Sequence, residues 1–298
     1  MMIKLSKHQA ARQWLSRAKI DQWMTCPYCQ ASLRLTDQGV ACQGGHHFDL
    51  AKQGYLFLSR QALKPTKYDR DLFLARRSII RESPFYRALH EQILVCMEGL
   101  TEGKRVLDAG GGEGSHLATL MATMNQSIWA MNLDLSKEGI QLATDYNDLQ
   151  LSVVSDLAHL PLANEGIDLI LNILSPSNYG EFDRVLVPGG RLIKVIPGPH
   201  YLAEIRQAAS DLGLANDRVH DQAPVLEVFK HHYPDYQAYP VQSRLKLNPD
   251  QKAELLAMTP LAWSYDDQQR LAVLNHLPDE FLLDLLVLVG TKASDPNS

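Results

Sequence analysis

From residue 105 onward six short apolar runs recur: RVLDAG, SIWAMNLD, LSVVSD, IDLILNIL, RLIKVIP and FLLDLLVLVG. Stretches with helical spacing separate them. Runs that are apolar on both faces suit strands covered from two sides, and their alternation with helices predicts an α/β fold with a doubly wound, mostly parallel sheet. Ligands in such sheets bind beyond the carboxyl ends of the strands, near the point where strand order reverses. Chemistry is therefore sought at Asp108, Asp134, Asp156, Asn172 and Pro197. The longest apolar run, near Phe281 to Val289, is broken by Asp284 and is shorter than the roughly 18–20 residues that span a bilayer. The N-terminal segment reads as a short basic amphipathic helix without a signal-peptide apolar stretch, so a cytoplasmic protein with no membrane partner is expected.

The first strand end continues as VLDAGGGEGSHL. Gly110, Gly112 and Gly114 allow a sharp strand-to-helix turn and a close backbone approach to a ligand. A dinucleotide-binding turn would place its third glycine one residue later, where Ser115 stands. Asp108 just before the turn would repel a pyrophosphate and welcome an ammonium group. The combination favours a cationic cofactor without phosphates, S-adenosylmethionine, contacted along Asp108, Gly110, Gly111, Gly112, Glu113 and Gly114. Asp134, followed by Leu135, ends the second strand where a carboxylate can accept both hydrogen bonds of a ribose diol. Asp156 ends the third, where it can accept from an adenine amino group while Leu157 packs on the ring. Any one of these aspartates alone could be a helix cap; three at successive strand ends around one glycine turn make a joint cofactor reading.

Three of the four cysteines fall within 17 residues, in TCPYCQASLRLTDQGVACQGGHHF. Cys26 and Cys29 form one Cys-x-x-Cys knuckle, and Cys42 with His46 forms a second. Leu33–Leu35 and Gly39–Ala41 read as a hairpin that brings the two together. Four protein ligands fill a tetrahedral Zn²⁺ and leave no open position, so the predicted site is structural. A redox pair at Cys26 and Cys29 is the alternative, but it needs neither the second half-site nor the hairpin. Cys42-x-x-x-His46 has the commoner spacing, leaving His47 exposed. Cys96 lies among helical apolar positions and reads as a buried small hydrophobe.

A formal charge of −5 argues at first against a nucleic-acid partner. The charge is unevenly placed, however. Lys and Arg outnumber Asp and Glu 17 to 9 in residues 1–105, a net +8, and are outnumbered 12 to 25 thereafter, a net −13. Such asymmetry points to a polyanion-facing module coincident with the zinc segment. Candidate phosphate contacts are Arg34, Lys52, Arg60, Lys64, Lys67, Arg70, Arg76 and Arg77, with Tyr55, Phe57 and Tyr68 placed to stack on splayed bases. Arg76 and Arg77 have packing against the catalytic domain as their alternative role. The expected organisation is an N-terminal helix and zinc domain over residues 1–60, a helical linker over 61–104, and a cofactor-binding domain over 105–298.

The strand-end pattern over about residues 105–200 resembles the class I S-adenosylmethionine-dependent methyltransferases, with their Rossmann-like sheet. CPYC followed by ACQGGHHFDLAKQGYLFL, LARR at Leu74–Arg77, VLDAGGGEG, PGGRLIKVIPGPHYL and MTPLAW at Met258–Trp263 together resemble the 23S ribosomal RNA guanine-N1 methyltransferases of the RlmA family. The resemblance implies a zinc ribbon on Cys26, Cys29, Cys42 and His46 and a cofactor turn over Asp108 to Gly114. It also implies a guanine of the hairpin 35 loop of 23S rRNA as target, and a homodimer that forms an RNA-sized cleft. Two departures stand out: Gly111 replaces the family's usual Cys, and about 20 residues precede the zinc module. LSPSN at Leu174–Asn178 and KVIPGPHYL look more like the Gram-positive, tylosin-resistance-associated branch, which bears on which of two neighbouring guanines is modified.

Guanine N1 carries a proton and lies on the Watson–Crick edge, so its methylation needs an unpaired base and either a proton acceptor or donors to O6. Asn172, Ser175, His200 and Tyr201 are the candidate catalytic residues, with Asn172 or Ser175 orienting the base edge and His200 acting as base or O6 donor. Tyr86 is expected either to cover the cofactor or to be a core aromatic. Two other functions compete with the RNA enzyme. One is a small-molecule methyltransferase with an incidental zinc site; the other is a non-catalytic zinc-dependent RNA-binding or assembly protein. DNA is not an expected partner.

Overall fold

The computed structural model describes residues 5–60, 68–124, 127–214 and 221–294. The chain opens with helix α1 (Lys7–Arg17), started by a Ser6–Gln9 capping box. Four short strands follow: β1 (Leu33–Leu35), β2 (Gly39–Cys42), β3 (His47–Asp49) and β4 (Tyr55–Phe57). Two helices, α2 (Arg70–Arg81) and α3 (Arg87–Cys96), lead into the alternating region. There β5 (Arg105–Ala109), α4 (Ser115–Thr123), β6 (Trp129–Asp134), α5 (Lys137–Ala143), β7 (Gln150–Val154), β8 (Ile167–Ile173), α6 (Tyr179–Val185) and β9 (Leu186–Pro197) follow one another. The chain closes with α7 (Ala203–Asp211), α8 (Ala223–His232), β10 (Gln237–Lys246), α9 (Pro249–Ala257), α10 (Asp267–His276) and β11 (Glu280–Thr291).

Strands β1, β2 and β3 form a small antiparallel sheet. The large sheet has the order β10-β11-β9-β8-β5-β6-β7-β4, parallel from β4 to β9 and antiparallel at β11 and β10. Strand order reverses between β5 and β8, so the ligand crevice of a doubly wound sheet opens above Asp108 and Asn172. The central strands are buried on both faces: Val106, Leu107, Leu169, Ile170, Leu192 and Ile193 are fully covered. All six apolar runs read from the sequence are strands of this sheet.

Two strands carry weaker signals. β10 alternates exposed and half-buried residues and includes Pro240, tolerable on an edge where one set of amides goes unpaired. β4, only three residues long, belongs to the zinc-bearing segment yet extends the large sheet beside β7, Tyr55 opposite Ser152 and Phe57 opposite Val154. Asn147 secures this junction by donating to Gly54 O at 2.7 Å and Lys7 O at 3.2 Å. Trp14 of α1 meets Trp23 and Trp129 edge-on at 5.9 and 5.6 Å, which joins the N-terminal segment to the start of β6. Among the described residues no helix is long and apolar enough to cross a membrane.

Candidate functional site

The hairpin of β1 and β2 pairs Leu33 with Cys42, bringing the second knuckle over the first. Cys26, Cys29, Cys42 and His46 then present ligand atoms all within 4.8 Å of one another. His46 Nδ1 lies 3.5 Å from Cys26 Sγ and 3.4 Å from Cys42 Sγ, and Cys29 Sγ is 3.5 Å from Cys42 Sγ. Bonds of about 2.3 Å to sulfur in a tetrahedron put ligand atoms roughly 3.8 Å apart, so the donor set fits Zn²⁺. Desolvation opposes ionisation of Cys42, yet hydrogen bonding from the His46 backbone and ring brings its thiol down to about 6. His47 is exposed and takes no part, while Cys96 is buried in α3. The exposed Tyr28 stacks on Phe48 at 6.1 Å beside this centre, an aromatic surface whose only sequence signal is its place inside the knuckle.

The glycine turn lies at the mouth of the sheet crevice. Gly110, Gly112 and Gly114 all have positive φ. A Cβ on Gly110 would stand 1.9 Å from Ser175 Oγ, and one on Gly111 would stand 2.4 Å from Asp108 Oδ2. The turn is thus pressed between the β8 loop and the Asp108 carboxylate, and Gly111 in place of the family's Cys leaves room for that carboxylate. Asp108 is 1% exposed and both its oxygens lack a partner among the described residues. Burial, with Asp134 and Glu113 nearby, pushes it up to about 8. An orphaned buried carboxylate beside bare backbone is a receptor for a cation, and the ammonium of S-adenosylmethionine fits it.

Asp134 accepts from Gly112 N at 2.8 Å through Oδ2 and from Ser136 N at 2.7 Å through Oδ1. It therefore ties the turn to the end of β6, keeping further lone pairs on both oxygens. Burial raises its carboxyl, while the Ser136 and Gly112 amides and the Arg76 charge pull the other way. Leu135 beside it is 45% exposed. Asp156 lies two residues past β7 and accepts from Ala158 N at 2.9 Å; Leu157 Cδ1 comes to 3.7 Å of a Cβ on Gly110. The three strand ends are thus gathered around one turn.

Glu113 departs from its expected place. Its side chain is buried, receiving Ser115 Oγ at 2.7 Å and Arg77 Nε at 3.2 Å, so it braces the turn from within. Arg77 also holds Asp145 at 2.6 Å and Leu142 O at 2.8 Å, which commits this arginine to the catalytic domain rather than to a phosphate. Tyr86 is a core aromatic, 2% exposed, with its hydroxyl 2.7 Å from that of Tyr201. Burial pushes both phenols up, Tyr201 well above the ordinary range.

Asn172 is fully buried and spent: Nδ2 donates to Ala109 O at 2.8 Å and Pro176 O at 3.0 Å, while Oδ1 receives Ser177 Oγ and Lys194 Nζ, both at 2.8 Å. Its amide therefore does not reach a base edge; it fastens the loop after β8. Lys194, inside an apolar strand pattern, gave no signal as a site residue. Its ammonium also donates to Ser177 Oγ at 2.6 Å and Ser175 O at 3.2 Å. Asp284, the charge interrupting the last apolar run, likewise has a purpose. It accepts from His200 N at 2.8 Å and Gln242 Nε2 at 2.9 Å, pinning the loop after β9 and leaving the exposed His200 ring without a partner among the described residues.

In the basic segment Arg34, Lys52, Arg60 and Arg70 are exposed. Arg60 Nε donates to Pro27 O of the first knuckle. Phe57 and Tyr68 are 37% and 38% exposed, but Tyr55 is buried against Ile140 and Val154 and offers no face for stacking. Lys64 and Lys67 lie outside the described residues.

Comparison with known proteins agrees with this two-part site. Residues 24–59 match the RlmA N-terminal zinc ribbon family, and residues 107–194 match a methyltransferase domain family. The 23S rRNA (guanine(748)-N(1))-methyltransferase of Streptomyces fradiae is 31% identical over 266 residues, covering 88% of this chain and 93% of that protein. A Bacillus subtilis protein assigned to the 23S rRNA (guanine-N(1)-)-methyltransferases is 35% identical over 281 residues, covering 90% of this chain and 96% of its own length. Similarity at this level runs through both the zinc centre and the glycine turn, and the chain belongs to the 23S rRNA (guanine-N1)-methyltransferase family, S-adenosylmethionine-dependent enzymes with an N-terminal zinc ribbon.

Proposed function

We propose that this protein methylates N1 of an unpaired guanine in the hairpin 35 loop of 23S rRNA, at the position named for the Streptomyces fradiae relative, guanine 748. The observation that carries the reading is β4. It joins the zinc-bearing segment to the sheet whose strand ends form the cofactor crevice, so an RNA gripped by one is presented to the other. The enzyme acts in the cytoplasm, where ribosomal RNA is made, and as a homodimer. Its zinc unit runs through residue 60, a linker that carries α2 and α3 follows, and the catalytic domain begins at 105. Arg34, Lys52, Arg60 and Arg70 neutralise phosphate, and Tyr28 and Phe57 stack on loop bases.

S-adenosylmethionine supplies an electrophilic methyl group on a sulfonium, so the protein's tasks are positioning, water exclusion and removal of one proton. Asp108 and the 110–114 turn hold the amino-acid end, Asp134 and Leu135 the ribose, Asp156 and Leu157 the adenine. Lys194 and Asn172 hold the 174–177 loop against the turn. Ser175 and His200 keep hydroxyl and ring free of partners among the described residues; Ser175 orients the base edge and His200 takes the N1 proton. Tyr201, tied to Tyr86 and with its phenol pushed up, keeps its proton and acts only as a donor.

Nucleoside analysis of 23S rRNA from cells with and without this gene tests the reading. Loss of N1-methylguanosine from the hairpin 35 fragment alone is expected. Unchanged rRNA together with labelled small metabolites would replace it with the small-molecule reading.

A further inference from the structure

The glycine turn is crowded with carboxyl groups. Asp108, Glu113 and Asp134 surround it, yet S-adenosylmethionine carries a carboxylate beside the ammonium that Asp108 suits. A carboxylate entering this crevice meets Asp134, Glu113 and, once the ammonium has ionised it, Asp108, unless a cation is held ready for it. We propose that Arg76 binds the α-carboxylate of the cofactor across Gly112, opposite the ammonium receptor at Asp108. The inference rests on the cofactor reading given above.

Two adjacent arginines of α2 behave in opposite ways. Arg77 is saturated, holding Glu113, Asp145 and the Leu142 carbonyl. Arg76 makes no hydrogen bond or ion pair among the described residues; its guanidinium lies over the Phe73 ring, 5.4 Å from the centroid. Phe73 is 1% exposed and fixes that stem. Nη1 stands 3.3 Å from where a Cβ on Gly112 would be, so a positive φ of 58° and the missing side chain leave the guanidinium an open approach to the turn. Arg76 is half-buried, and its charge is felt at Asp134, Glu113, Tyr86 and Tyr201.

A surface-charge role does not account for this placement, since stacking on Phe73 holds the guanidinium at the glycine turn while leaving its donors unpaired among the described residues. Against the effect of burial, its charge lowers the Asp134 and Glu113 carboxyls without coming within ion-pair distance of either, so its donors are left open among the described residues. Lys194, a buried cation near the β8 loop, has its three protons committed to Asn172, Ser175 and Ser177. Arg76 is the uncommitted donor, and its planar fork matches a carboxylate in a bidentate pair. Arg76 also lies outside the 107–194 methyltransferase match, on a helix that precedes β5. Half of the cofactor's head group is thus recognised from a different part of the chain than the glycine turn.

Calorimetric titration of the full-length protein with S-adenosylmethionine and with its decarboxylated analogue tests the assignment. The wild type is expected to favour the carboxylated ligand by tenfold to a hundredfold, the range of one charge-assisted pair. Arg76→Met removes the preference and leaves affinity for the decarboxylated ligand within threefold. Arg76→Lys, which keeps the charge without the fork, retains part of the preference and serves if the Met variant does not fold. A folded Arg76→Met protein that keeps the full preference, or that loses affinity for both ligands equally, overturns the proposal. Equal affinity of the wild type for both ligands also overturns it while sparing the cofactor reading; a wild type that binds neither overturns both.

Discussion

Lys194 Nζ lies 2.8 Å from Asn172 Oδ1, inside the sheet, with no carboxylate at ion-pair distance among the described residues. Burial alone brings this ammonium down to about 8 from 10.5. Below pH 8 both folded and unfolded chains carry the proton, and the cost of burying the charge is fully present. Between 8 and 10.5 the unfolded chain keeps the proton while the folded one releases it, so stability rises with pH, by about 3 kcal/mol over the whole interval. Urea unfolding from pH 8 to 10 should show that rise in wild type and a flatter profile in Lys194→Met. Parallel profiles would contradict the assignment. The same variant should slow methyl transfer tenfold or more with cofactor affinity within about threefold, because its contacts go to the 174–177 loop.

Asp108 carries the second prediction. With its carboxyl at about 8, the free protein holds it mostly protonated at pH 6–7. A bound ammonium favours the ionised form, so binding should release close to one proton and tighten as pH rises toward 8. Calorimetry in buffers of different ionisation enthalpy measures the released proton directly. Asp108→Asn should bind more weakly and release none; equal release from both proteins would remove Asp108 from the ammonium site.

His90 Nε2 and His116 Nδ1 lie 2.8 Å apart between α3 and α4, and burial brings His90 down to about 4, with Arg81 adding to the effect. Here the unfolded chain gains the proton first as pH falls. Stability should drop between about pH 6.5 and 4, by about 3 kcal/mol for His90 alone. Thermal unfolding across that range should show a shallower loss in His90→Gln than in wild type.

Removing zinc should divide the two activities. The proposed cofactor contacts Asp108, Asp134 and Asp156 lie at or just past the ends of β5, β6 and β7, whereas Cys42 sits in the small sheet. Cys42→Ser should lose the metal and most rRNA methylation while keeping cofactor affinity within a few-fold. Metal analysis with parallel binding and methylation assays checks this; full RNA activity in metal-free protein would contradict it.

Much of this arrangement was legible in the sequence, and the remainder has identifiable physical causes. Long apolar strands, the glycine turn and the cysteine spacing are local patterns, and each is found where the pattern puts it. β4 was not legible because three residues set no periodicity, and its pairing with β7 depends on a contact nearly a hundred residues away. Asn172 and Asp284 stood at informative strand positions, but whether a polar group faces ligand or protein depends on its neighbours. Lys194 is a single charge in an apolar run, and Tyr55 lies in a three-residue strand too short to assign a face. Arg76 and Arg77 are adjacent in sequence, yet Arg77 is bonded to Glu113, Asp145 and Leu142 while Arg76 only stacks on Phe73, a difference set by what α2 packs against.

The central claim is that the zinc segment and the glycine turn act together on one guanine. Purified protein, S-adenosylmethionine and a hairpin 35 transcript, followed by primer extension, test it most directly. The account predicts a single arrest at guanine 748, abolished when that base is paired by a complementary strand and absent with Cys42→Ser. Arrest at paired guanines, or undiminished arrest with the metal-free protein, would contradict it.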